Sequence, residues 1–129
     1  PRRLRFDVAG NLLVAEPDQG IVRRISPAGE VSTLAGQPGQ RGFQNGPREQ
    51  ALLGYPIGVA GDAAGTVYIA DSNAHQIRRI APDGEVSSLA GRLWAATHRD
   101  GVGEAAEFNH PWDIALDLAG NLVVAERGS

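Results

Sequence analysis

Within the stretch RLWAATHRDGVGEAAEF (92–108), Trp94, His98, Arg99 and Asp100 bring together an indole, an imidazole, a guanidinium and a carboxylate. This is the equipment of a recognition loop. Trp and Arg anchor binding surfaces, and loops carried on a rigid scaffold are where such residues usually act. A second group, Arg2, Arg3 and Arg5 in PRRLRFD, could hold a carboxylate or phosphate. Catalytic patterns are weaker. His75, His98 and His110 lack the spacing of metal ligands, and no serine stands in a nucleophile elbow. The glycines of GVG and AGQPGQRG do not lead from a strand into a long helix, so a phosphate cradle is not expected. The binding candidates are therefore Trp94, His98, Arg99, Arg3 and Arg5. No catalytic residue, metal ligand or cofactor is expected.

Composition narrows the partners. The 129 residues carry a formal net charge of −3, whereas nucleic-acid binders usually concentrate basic charge on one face, so no nucleic-acid partner is expected. No apolar run is long enough for a membrane-spanning helix, and no membrane partner is expected. All basic residues apart from histidine are arginine, which hints at a GC-rich genome. With no cysteine, redox logic assigns no compartment. The start at Pro1, without a methionine or a signal-like segment, reads as a processed, cut or partial chain.

A repeat must position these residues. Pro1, Pro56 and Pro111 fall 55 residues apart, as do Asp7, Asp62 and Asp117, then Gly10, Gly65 and Gly120, then Ala15, Ala70 and Ala125. Arg23-Arg24-Ile25 matches Arg78-Arg79-Ile80, and Leu34-Ala35-Gly36 matches Leu89-Ala90-Gly91. The chain divides into unit 1 (1–55), unit 2 (56–110) and a partial unit 3 (111–129). Repeats of this length build solenoids, propellers or arrays.

Each unit reads as four short strands. In unit 2 these are IGVAGD (57–62), TVYIAD (66–71), QIRRIA (76–81) and EVSSLAG (85–91), bounded by Gly, Asn, Asp and Pro. Pro82-Asp83-Gly84 suits a type I turn followed by a left-handed glycine. Asp7, Asp62 and Asp117 precede turns whose amides a carboxylate can accept. Arg23, Arg24, Arg78 and Arg79 are expected to lay their stems on the sheet and pair with acids of an adjacent strand or blade. VYIA and QIRRI put apolar groups on both faces of the sheet. That fits a blade packed on both sides better than a sheet with one wet face. The fold class is therefore all-β, with four antiparallel strands per blade, two complete blades and part of a third.

The segment YPIGVAGDAAGTVYIADSNAHQIRRIAPDGEVSSLAG resembles an NHL repeat, and HRDGVGEAAEFNHPWDIALD resembles the connector of longer bacterial-type NHL units. PRRLRFD departs from the small residues of PIGVAGD, and Glu16 and Glu126 stand where Asp71 does. The resemblance implies a propeller of about six blades, of which this chain would supply a fragment. Ring closure by copies of the chain, or an open array, are the other arrangements. The innermost strands would face a central channel, placing Arg2, Arg3 and Arg5 there. The implied function is a non-catalytic binding or scaffold module presenting loops to a protein or glycan. The alternative is part of a six-bladed lactonase or lyase with a channel metal. Asp113 is the acidic residue that breaks the repeat on an inner strand, replacing Gly58. The matching turns Asn45-Gly46 and Asp100-Gly101, a single helical turn in GEAAEF with Phe108 plugging the blade edge, and Trp112 packed between blades complete the expectations.

Overall fold

A computed structural model describes residues 3–7, 9–91, 111–116 and 121–126, with backbone only at Arg3, Trp112 and Glu126. Unit 1 contributes β1 (Arg3–Phe6), β2 (Leu12–Glu16), β3 (Ile21–Ile25) and β4 (Val31–Ala35). Unit 2 contributes β5 (Pro56–Gly61), β6 (Val67–Asp71), β7 (Gln76–Ile80) and β8 (Val86–Ala90), and unit 3 contributes β9 (Pro111–Leu116) and β10 (Leu122–Glu126). Each complete unit is a four-stranded antiparallel sheet whose strands pair in sequence order. The expected blades are present, with strand limits within a residue or so of those read from the sequence.

Turn chemistry closes the hairpins. Gly29 and Gly84 have φ of 89° and 97°, and each donates its amide at 2.8 Å to the carbonyl three residues back, on Ser26 and Ala81. Proline ahead of each glycine pre-sets the turn, so Ala28 can replace Asp83 at the position between. Asp62 Oδ1 accepts the amides of Ala64 and Thr66 at 3.0 and 2.9 Å, while Asp7 accepts the Asn11 amide at 2.8 Å. The repeated aspartates at these two sites are turn builders, as expected.

The repeat extends to irregularities. The pairing register shifts between Val22 and Arg23 and, at the equivalent place, between Ile77 and Arg78. A second shift skips Ile57 between Pro56 and Gly58, and Trp112 between Pro111 and Asp113. Such bulges add local twist and re-aim side chains. Both faces of blade 2 are covered. One core gathers Leu13, Ala15, Val22 and Leu34 of blade 1 with Val59, Ile69, Ile80 and Val86 of blade 2. The other gathers Ala60, Ala70 and Ile77 with Ile114, and with Leu116, Leu122 and Val124 packed against them. Burial on both faces is what the apolar pattern of the strands required.

Candidate functional site

The innermost strands β1, β5 and β9 lie side by side, β5 in the middle. Their spacing is set by Gly58, where an added Cβ would come within 2.8 Å of Asp113 Cα and 3.1 Å of the Ile114 nitrogen. Without a side chain at 58, the backbone of β9 approaches closely enough for Arg5 of unit 1 to reach Asp113 of unit 3. Arg5 Nη2 stands 3.6 Å from Asp113 Oδ1, both side chains partly exposed. An exposed pair of this kind contributes at most about 1 kcal/mol. Asp113 Oδ1 also accepts the Ile114 amide at 2.9 Å. Two inner-strand residues that escape the repeat thus meet across the middle blade as a cation–anion pair. Arg5 Nε is buried and has no hydrogen-bond partner.

Of the three arginines expected to bring positive charge to the channel, Arg5 has a carboxylate beside it. Arg5 is answered by Asp113, so the inner strands carry paired charge at this level. Arg3 lies on β1 opposite Ala15. Trp94, His98 and Arg99, with Arg2, Asp100 and the GEAAEF turn, lie outside the described residues, as does the side chain of Trp112. Among the described residues no three His, Asp or Glu side chains come together to hold a metal.

The first connector (37–55) has a role that its letters did not announce. Arg78, fully buried, donates from Nη1 to Asp71 Oδ2 at 3.1 Å and to the Leu52 carbonyl at 2.6 Å. From Nη2 it donates to the Gln44 carbonyl at 3.0 Å and Asn45 Oδ1 at 2.9 Å. Its guanidinium carbon lies 4.4 Å from the centre of the Phe43 ring, a cation–π contact. Burial pushes the guanidinium below its ordinary pKa, and the charge and hydrogen bond of Asp71 pull it back; it stays protonated. Asp71 also accepts the amides of Gly54 and Tyr55, each at 2.9 Å. Gly46 forms a two-way backbone bridge with Val86, at 2.9 and 2.8 Å. Ala51 and Leu53 enter the core between the blades. Leu53 stands where Phe108 does in the second connector, and a single turn closes just before it, with the Ala51 amide 2.9 Å from the Pro47 carbonyl.

The sequence missed Gln44, Asn45 and Leu52 as partners of an arginine about thirty positions on. The available signal was Asn45-Gly46 recurring as Asp100-Gly101 at the period of the repeat. Of the four repeated arginines expected to pair with nearby acids, Arg78 does so in blade 2 and Arg23 at the equivalent place in blade 1. In blade 1, Arg23 Nη1 lies 3.4 Å from Glu16 Oε2.

Stacked four-stranded antiparallel blades on a 55-residue period define a β-propeller segment. Residues 53–80, which include the first three strands of blade 2, match the NHL repeat. It is 28% identical over 132 residues to the human NHL repeat-containing protein 2, covering 99% of this chain and 18% of that protein. It is 29% identical over 122 residues to the Arabidopsis thaliana chloroplastic protein SUPPRESSOR OF QUENCHING 1, covering 91% and 12% respectively. The chain therefore spans less than a fifth of these relatives.

Solved propellers superpose on nearly all of it. A structural genomics protein of unknown function from Bacteroides thetaiotaomicron does so with a TM-score of 0.88 and 34% identity, over 97% of this chain and 32% of that one. An auxiliary nutrient binding protein from the same organism gives 0.83 and 20%, over 98% and 35%. Virginiamycin B lyase from Staphylococcus aureus gives 0.60 and 16%, over 95% and 33%.

Proposed function

We propose that the chain is a segment of an NHL-type propeller acting as a non-catalytic binding and scaffold module, whose connectors present side chains to a protein or glycan. The observation that carries this reading is the internal use of the repeated charged groups. Asp62 and Asp7 hold turns, and Asp71 and Arg78 lock a connector onto a blade. That leaves the unrepeated residues Trp94, His98 and Arg99 on the second connector as the recognition set, with Arg3 and Arg5 on the inner strand as an accessory charge. The likeness to a nutrient binding protein supports a ligand-binding role at the level of the fold.

Trp94 is one of two tryptophans, so its emission can be followed with Trp112→Phe as background. Titration with a panel of oligosaccharides and folded protein baits should give a saturable change that Trp94→Ala and Arg99→Ala abolish. A response unchanged by both substitutions would remove these residues from the site.

The second reading, part of a lyase-type enzyme with a channel metal, is favoured by the unrepeated Arg5–Asp113 pair on the inner strands and by the likeness to virginiamycin B lyase. A thermal shift on adding calcium or zinc at millimolar concentration, lost in Asp113→Asn, would support it. An unchanged melting curve would speak for the binding module.

A further inference from the structure

The two complete blades carry the same or closely similar residues in different company. On blade 2, Ile69, Asp71, Arg78, Ile80 and Val86 are all buried, covered by blade 1 and by the connector that precedes blade 2. Their counterparts 55 positions earlier, Val14, Glu16, Arg23, Ile25 and Val31, line an open groove on the outward face of blade 1. Arg78 is 0% exposed and Arg23 is 41% exposed; Val86 is 1% exposed and Val31 is 50% exposed. Leu4 and Phe6 are exposed on the same face, where Val59 is fully buried in the second unit. Identical arginines have opposite environments because a connector sits on one of them.

We propose that this groove is a docking site for the connector loop of a further NHL-type unit placed before blade 1 in the ring. The loop would carry an aromatic residue and an Asn or Asp followed by glycine, as in Phe43-Gln44-Asn45-Gly46. The occupant is specified by the interface already formed on blade 2. Two loop carbonyls and one side-chain oxygen accept hydrogen bonds from Nη1 and Nη2 of the guanidinium, an aromatic ring stacks on it, and a glycine bridges the edge strand. Strand β4 is the outer edge of blade 1, and an edge strand offers backbone groups for such a bridge. Glu16 is one methylene longer than Asp71 and already reaches Arg23, so the ion pair is set before the loop arrives. The proposal holds whichever ligand the second connector recognises.

The period of the repeat supplies the test. Pro1 is equivalent to Pro56, so a second copy of residues 37–55 joined directly before Pro1 places a connector in the correct frame for blade 1. Amide hydrogen exchange is then compared between the 129-residue chain and the extended chain. Exchange at Val31 should slow at least about tenfold in the extended chain, the melting temperature should rise, and Val86 protection should stay as it is. Arg23→Ala, or Asn45→Ala in the added copy alone, should reverse the gain at Val31.

Equal exchange at Val31 in both chains, with Val86 still protected, would overturn the proposal. Should the extended chain lose protection at Val86, the 37–55 segment added as a free peptide must slow Val31 in the original chain; otherwise the proposal falls. Protection of Val31 in the original chain that grows with its concentration would make a second copy the occupant and overturn the assignment to a preceding unit.

Discussion

Replacing Arg78 and Arg23 separately by alanine should destabilise the protein to very different extents, although the two residues share a repeat position and a sequence context. Arg78 is fully buried, with its charge compensated by Asp71 and by oxygens of Gln44, Asn45 and Leu52. Truncation leaves the buried Asp71 carboxylate without its cation and three connector acceptors without their donor. Breaking a buried pair in this way costs about 3–5 kcal/mol. For a chain of this size about 3–4 °C of melting temperature follows each kcal/mol, so Arg78→Ala should melt roughly 10–20 °C lower. Arg23 makes one partly exposed contact to Glu16 at 3.4 Å, and its loss should cost about 1 kcal/mol at most. Melting followed by circular dichroism, with urea titration for the free energies, reads the difference. The double variant Arg78→Ala/Asp71→Asn should lose less than the sum of its parts, because the neutral amide no longer strands a buried charge. Equal losses at the two arginines, or a loss at Arg78 of no more than about 1 kcal/mol, would refute the assignment of Arg78 as the connector lock.

Gly36→Ala and Gly29→Ala separate backbone strain from crowding: both glycines have φ near 90° (94° and 89°), but a Cβ at 36 would drive into the Gly20 carbonyl whereas one at 29 meets nothing. Gly29→Ala should cost about 1–2 kcal/mol and Gly36→Ala distinctly more, measured by urea unfolding. Gly58→Ala should push β9 away from β5, destabilise by about 1–3 kcal/mol and loosen the Arg5–Asp113 pair, seen as faster exchange at the Ile114 amide. Burial first, then the charge of Asp62 and the hydrogen bond to it, raise the Tyr68 phenol above its ordinary value. The folded state therefore holds this proton more tightly than the unfolded one. The resulting stability is present below about pH 10 and is lost as pH rises through the folded value. Tyr68→Phe should flatten the fall of melting temperature above pH 10.

The blades were legible because their signals are local. Proline and glycine at fixed offsets, short Val- and Ile-rich runs and a 55-residue echo specify strand, turn and strand again without reference to anything distant. The turn-building role of Asp62 and the burial of both faces of blade 2 followed from the same letters. The Arg78 lock was not legible, because two of its three connector acceptors are backbone carbonyls, and a carbonyl leaves no mark on residue type. The connector was read as a surface for recognition, yet in unit 1 much of it is spent on Arg78, on Val86 and on the core through Ala51 and Leu53.

Residue order alone thus decided the repeat, the four-stranded blade and its turns, since each depends on neighbours along the chain. Tertiary structure decided which copy of a repeated residue is buried. Arg23 and Arg78 occupy equivalent positions in closely similar sequence and differ chiefly in what is stacked upon them. It also decided that Arg5 and Asp113, more than a hundred positions apart, share one site. That meeting depends on the inner strands converging over Gly58, a distance between backbones that exists only once three blades are stacked.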